Sequence, residues 1–112
     1  MFTKSINSAA TTNGQSIARR GTEVFSLTAF NNGGAIAYIK LYNTAVGTGP
    51  VVGTDTPYMI FAVPAGGNLQ VERLKGVQYP AGLGLAITNL PADSDTTAVV
   101  AGQVKLLLVY GG

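Results

Sequence analysis

Turn-forming residues occur at short intervals along the whole chain, and this close spacing limits the folds that the chain can adopt. The 112 residues include 15 glycines and 5 prolines, and both residue types disfavour helix interiors. The segments between them are short and rich in Val, Ile, Leu, Tyr and Phe, which suit strands. Short strands separated by regular turn signals are typical of an all-β sandwich or barrel. The length predicts one domain.

The apolar segments predict seven or eight strands and no helix. The clearest strands are expected at residues 22–30, 35–42, 58–63, 68–74, 83–88 and 103–110, with shorter extended pieces at 15–20, 77–79 and 97–100. Between the first two clear strands lies Asn31-Asn32-Gly33-Gly34, a sequence typical of a tight hairpin turn. We therefore expect those two strands to pair, within an antiparallel sandwich that spans residues 21–112.

The first twenty residues have a weaker pattern than the rest. Residues 2–12 are mostly polar, and residues 15–20 suggest at most one short strand. We expect residues 1–20 to form an extended amino-terminal arm that reaches a neighbouring molecule. Arg19 and Arg20, at the end of this segment, suit contacts with carboxylates or phosphates on a partner; the simpler interpretation is that they solvate the arm.

The chain carries little charge for its size. Charged residues make up 11%, against about 25% in an ordinary domain. The last predicted strand is apolar on both faces, with Leu106 and Leu108 on one and Leu107 and Val109 on the other. The segment 58–63 has no charge on either face. A large exposed apolar surface marks an interaction site. We therefore expect a homo-oligomer, the alternative being a hydrophobic domain with irregular alternation.

These arguments give a set of candidate interface residues for a partner or a second copy. The set comprises Arg19, Arg20, Tyr58, Ile60, Leu107 and Val109.

Composition excludes most catalytic chemistry. The chain has no His, Cys or Trp, so disulfides, Cys nucleophiles and Ser-His-Asp triads are impossible. Asp93-Ser94-Asp95 is a weak match to an ion site, but Asp and Ser also favour turns. The glycines at 47–53 lack the Lys and the helix of a phosphate-binding loop. We expect no enzyme activity, cofactor or metal.

The charge distribution and hydropathy also limit the partners. The seven basic residues are scattered, whereas nucleic-acid binders show a dense patch. No apolar run approaches the roughly 20 residues of a membrane helix, and the residues after Met1 do not form a signal peptide. The sequence therefore predicts neither nucleic-acid nor membrane binding.

Several turn-and-strand motifs resemble those of small virion proteins of tailed bacteriophages. They cover most of residues 22–110 and lie at 30–35, 37–43, 52–57, 64–66, 84–88, 92–99 and 102–104. The resemblance is to structural motifs, and it brings no catalytic residues with it.

The resemblance implies a capsid cement or decoration protein with a β-sandwich or jelly-roll fold. It implies that the chain is made in the host cytoplasm, binds the major capsid protein on the outer surface of the virion, and forms a trimer, with a dimer as the alternative. The competing hypothesis is a receptor- or carbohydrate-binding module of a head fibre or tail appendage. That hypothesis uses the long loop 43–57 and an aromatic groove built from Tyr38, Tyr42, Tyr58, Tyr79 and Tyr110, with Phe25, Phe30 and Phe61.

Overall fold

The residues that the structure describes form eight strands arranged in two sheets. The structure is a computed structural model that describes residues 1–72 and 76–112. The predicted alternation at Arg73 and Leu74 lies outside the described residues. The strands are β1 (Phe2–Asn7), β2 (Gln15–Ala18), β3 (Thr22–Asn31), β4 (Ala37–Asn43), β5 (Met59–Val63), β6 (Asn68–Tyr79), β7 (Leu83–Thr88) and β8 (Val104–Gly111).

Each strand pairs with the strand that mirrors its position in the chain. The antiparallel pairs β1–β8, β2–β7, β3–β6 and β4–β5 are joined by the further pairs β3–β8 and β4–β7. The result is a first sheet of order β1-β8-β3-β6 and a second sheet of order β2-β7-β4-β5. Two such four-stranded sheets are the jelly-roll arrangement. The predicted all-β, antiparallel, jelly-roll-like sandwich is confirmed.

The core lies between the two sheets and is built by alternate residues of the central strands. In β8, Leu106 and Leu108 are buried while Leu107 between them is exposed. In β4, Ile39 and Leu41 belong to the same hydrophobic core. Because successive side chains of a strand point to opposite faces, the core fixes which residues face outward on each sheet.

The first twenty residues do not form a separate arm. β1 pairs with β8 over six registered positions, and β2 pairs with β7, so this segment supplies an edge strand to each sheet. Ile6 is buried opposite Leu106. Burial of Ile6 and the ladder of main-chain hydrogen bonds to β8 outweigh the weak polarity pattern of the segment, and the predicted boundary at residue 20 is wrong.

The predicted hairpin at residues 31–34 is also wrong. β3 lies in the first sheet and β4 in the second, so the turn carries the chain across the sandwich. A two-residue hairpin of the favoured type needs positive φ at its central residues, and Asn32 and Gly33 do not adopt it. Instead the buried Asn31 side chain organises the crossing, donating to the carbonyl oxygens of Ala35 at 2.8 Å and Val63 at 3.0 Å.

Candidate interaction surface

The outer face of the second sheet is covered by the chain's own loops at its central strands β4 and β7. Lys40 and Tyr42 project from this face, yet they are 0% and 1% exposed. The Nζ atom of Lys40 donates to the carbonyl oxygen of Ala92 at 2.6 Å and so ties the loop after β7 onto the sheet. On β7, a Cβ atom at Gly84 would lie 2.9 Å from Pro50. Only glycine lets the loop before β5 approach this closely.

Burial controls the electrostatics beneath these loops. Burial lowers the pKa of the Lys40 ammonium below its usual range, although the nearby Asp95 and Asp93 carboxylates oppose that shift. Burial raises the pKa of Tyr42 to about 12, and the charges of Asp55 and Asp93 add to the effect. The Tyr42 hydroxyl has no hydrogen-bond partner among the described residues. Tyr42 is therefore held neutral in a poorly solvated position.

Asp95 stabilises the loop that carries it. Its Oδ2 atom accepts hydrogen bonds from the Thr97 hydroxyl at 2.5 Å, the Thr97 amide at 3.2 Å and the Leu90 amide at 3.3 Å. These contacts are the local bonds that the turn interpretation of residues 93–95 predicts. Within residues 1–72 and 76–112, no group of three or more acidic side chains is placed to hold a metal ion.

The outer face of the first sheet is open. Glu23 and Gln78 lie on it beyond the register shift in β3. On the other side of that shift, the strand registers place twelve of the described residues on it, three from each strand. They are Thr3, Ser5 and Asn7 of β1, Lys105, Leu107 and Val109 of β8, Ser26, Thr28 and Phe30 of β3, and Asn68, Gln70 and Glu72 of β6. We call this set the open face.

Apolar and polar residues are separated on the open face. All three apolar side chains, Leu107, Val109 and Phe30, belong to the central strands β8 and β3. The described members of the set that belong to the edge strands are all polar, and its two charged members are Lys105 and Glu72. Leu107 is 42% and Phe30 49% exposed. An apolar centre within a polar rim is the arrangement found in protein–protein interfaces.

The open face contains a shallow depression of about 550 Å³. Its walls combine the side chains of Phe30 and Leu107 with the polar groups of Ser5, Asn7 and Lys105. The depression therefore offers both an apolar floor and hydrogen-bonding groups at one place.

The structure brings only two of the six candidate interface residues together. Leu107 and Val109 share the open face. Ile60 lies opposite Lys40 on the outer side of the second sheet, and Tyr58 precedes β5. Arg19 and Arg20 are exposed at the end of β2, the other edge of that sheet, and a Cβ atom at Gly47 would lie 3.0 Å from the Arg19 guanidinium. These residues do not form one surface.

Phe30 belongs to the predicted aromatic groove, but it is not among the six candidate interface residues that the sequence suggested. It alternates with the buried Ala29 and precedes the buried Asn31, so strand periodicity places it on the outer face.

The tyrosines do not form the predicted aromatic groove. Tyr42 is buried beneath the loops of the second sheet, and Tyr79 belongs to the core. Tyr58 packs edge-on against Tyr79, with ring centroids 5.0 Å apart. Burial raises the pKa of Tyr79 well above its usual range. Tyr110 packs instead against Phe2, with ring centroids 5.6 Å apart.

Comparisons with known proteins add no family. No family model matches the sequence, and neither a curated protein nor a solved structure matches it at a significant level. In the part of the chain that the structure describes, no helix is long and apolar enough to cross a membrane.

Proposed function

We propose that the chain is a non-enzymatic structural protein of a bacteriophage particle, which binds the outside of the capsid and stabilises it by bridging shell subunits. The observation that carries this proposal is the open face, with its apolar centre of Leu107, Val109 and Phe30. Its partner on the shell is the major capsid protein.

The face suits the physical task of a cement protein. Such a protein needs affinity for a repeated protein surface. Removal of Leu107 and Phe30 from water provides that affinity, and the polar rim on β1 and β6 provides hydrogen bonds that fix orientation. The jelly roll is an architecture used in viral capsid and lectin domains, and the sequence motifs resemble those of phage virion proteins.

Charge placement on the open face supports a protein partner. Among the described residues, Lys105 is the one cation that the strand registers place on the outer side of the first sheet, where Glu72 and Glu23 supply negative charge. Phosphate-backbone recognition needs several clustered cations. A partly apolar face without a cluster of cations among its described residues instead favours another protein surface.

A single substitution tests the proposal on particles that lack the chain. Leu107→Glu places a carboxylate at the apolar centre, and an unpaired charge buried there costs more than the 1.4 kcal/mol that corresponds to tenfold in affinity. We expect occupancy of the purified shells, measured by quantitative gel analysis after sedimentation, to need at least about tenfold more protein.

Leu90→Glu is the matched control for this experiment. Leu90 is 53% exposed on the loop that covers the second sheet, so the same change is made at similar exposure on the opposite side of the molecule. We expect this variant to bind like the wild type. Equal occupancy for Leu107→Glu and the wild type would refute docking through the open face.

A carbohydrate-binding function is the second candidate, and the depression on the open face is the observation that favours it. Phe30 beside Ser5, Asn7 and Thr28 offers an apolar ring with hydroxyl and amide groups. The two functions use the same face but different ligands. Binding on a glycan array that Phe30→Ala abolishes would support the carbohydrate function, whereas binding to shells without glycan binding would support the structural role.

A further inference from the structure

Four strands form the edges of the two sheets, and three of them carry features that hinder pairing with another chain. Edge strands have unpaired main-chain N–H and C=O groups, which proteins protect with inward-pointing charges, bulges or short length. In β1, the exposed Lys4 lies opposite the core residue Leu108 and so points inward at the edge. β2 has four residues and a register shift between Ser16 and Ala18.

β6 is protected as well. Its pairing with β3 shifts register between Val24 and Ser26. Gly76 has a φ of 68°, which interrupts the extended conformation, and Glu72 is exposed on the strand.

β5, one residue longer than β2, has no inward-pointing charge and no bulge. It pairs with β4 over five consecutive positions without a register shift. Its sequence, Met59-Ile60-Phe61-Ala62-Val63, contains no charged residue, glycine or proline. Ile60 is 37% exposed and Ala62 is exposed beside it. This edge is a regular, uncharged template for another strand.

The residues around β5 define how a second strand fits. Pro57 and Pro64 flank the segment 58–63, and proline cannot donate to a strand ladder. A pairing strand is therefore limited to these six positions, and an antiparallel pairing about Phe61 uses five of them, residues 59–63, because it places Tyr58 opposite Pro64. If two β5 strands pair antiparallel about Phe61, Ile60 of each copy lies opposite Ala62 of the other. The pairing therefore contains two such pairs, each of one large and one small side chain.

We infer that two copies of this chain associate through β5, antiparallel about a twofold axis, and join their second sheets into one eight-stranded sheet. The occupant is a second copy because the segment is complementary to itself about Phe61. An isologous contact of this kind closes with two subunits, so it predicts a dimer and not the trimer that the resemblance implies. The inference concerns the free chain and does not depend on the proposed virion role.

The expected affinity is modest. A stable complex buries about 800 Å² on each partner, and two five-residue strands bury less. We expect a reversible dimer with a dissociation constant on the order of 100 µM.

Sedimentation equilibrium of the full chain, at concentrations up to about 1 mM, tests the inference. The weight-average mass is expected to rise reversibly from 11.5 kDa towards twice that value. Ala62→Lys, which adds a charge to the exposed edge, should keep the mass at the monomer value. Gln70→Lys adds the same charge on the exposed side of edge strand β6 and should leave dimer formation unchanged.

Three results would overturn the inference. They are a wild-type chain that stays monomeric over the whole range, a larger oligomer, and a dimer that Ala62→Lys does not weaken. Far-UV circular dichroism establishes that each variant is folded.

Cysteine pairing tests the register independently of the charge variants. The natural chain has no cysteine, so Ile60→Cys and Ala62→Cys each introduce a single thiol. Opposite residues of an antiparallel pair have Cβ atoms about 5 Å apart, whereas diagonal neighbours are about 7–8 Å apart. A mixture of the two variants under mild oxidation should form the 60–62 disulfide several-fold faster than either variant forms its own dimer. Equal rates in all three samples would exclude the proposed register.

Discussion

Tyr42 provides a quantitative test of how tightly the loops close over the second sheet. Its side chain is 1% exposed, and burial raises the pKa from 10.0 to about 12. In the unfolded chain the phenol loses its proton near the ordinary value of about 10. Between these two values the unfolded state binds fewer protons than the folded state, so stability falls as the pH rises.

The magnitude follows from the size of the pKa difference. Two pKa units correspond to about 2.7 kcal/mol when the pH exceeds both values, and at pH 11.5 the loss from Tyr42 is about 2 kcal/mol. Below about pH 10 the full contribution of Tyr42 to stability is present. Tyr42→Phe removes the titrating group and keeps the ring, so the variant should lose about 2 kcal/mol less than the wild type between pH 8 and pH 11.5.

Urea unfolding followed by circular dichroism at the two pH values measures this difference. At pH 8 the variant should be as stable as the wild type within about 1 kcal/mol, because the hydroxyl has no partner in the described chain. Tyr79 and the lysines titrate in both proteins, so their effects cancel. An identical loss of stability in wild type and variant would show that Tyr42 is solvated and that the loops do not seal the sheet.

Three further predictions concern the fold. Asn31→Ala should lower the free energy of unfolding by about 2–4 kcal/mol in urea titrations, because the crossing between the sheets loses several buried hydrogen bonds; a loss below about 0.5 kcal/mol would contradict its role. Leu108→Ala should lower the free energy of unfolding by about 2–5 kcal/mol in the same assay, because it leaves a cavity in the core. Leu107→Ala on the open face should lower it by less than about 1 kcal/mol. Equal losses for the two variants would mean that the two faces of β8 are wrongly assigned. Partial burial acts to raise the pKa of Asp95, but hydrogen bonds from Thr97 lower it overall. The stabilisation by the Asp95 carboxylate is therefore present above about pH 4 and is lost in acid. The difference in free energy of unfolding between the wild type and Asp95→Asn should shrink as the pH falls, and a constant difference would argue against this contribution.

The sequence predicted the inner strands because burial leaves a strong pattern in them. The bounds of β7, residues 83–88, agree with the apolar segment, and the alternation of Leu106, Leu107 and Leu108 correctly identified the two faces of β8. Such strands contribute many core residues, so their periodicity survives in the sequence alone.

The sequence pattern did not predict edge strand β1 or the turn that crosses between the two sheets. β1 places one residue, Ile6, in the core, while the rest of its side chains are exposed. Its structure depends on β8, about one hundred residues away in the chain. Asn31 likewise bonds to Val63 in the other sheet. The turn preferences of neighbouring residues contain no information about partners that are distant in the chain.

The candidate site was only partly visible in the sequence. Strand alternation placed Leu107 and Val109 on an outer face. It did not show that loops cover the outer face of the second sheet and leave that of the first sheet exposed. Lys40 and Tyr42 lie on the outer side of β4 and are buried because the loops fold over them. The open face is recognised only after that covering is known.

The central claim is that the open face docks on a capsid. The most direct measurement is an electron cryomicroscopy map of the intact phage particle in which we propose that this chain resides, at a resolution that distinguishes the two sheets. The account predicts many copies on the outer surface of the head, with Leu107 and Phe30 directed at the shell subunits. A map that places the chain on the tail, or on the head with the open face in solvent, would contradict it.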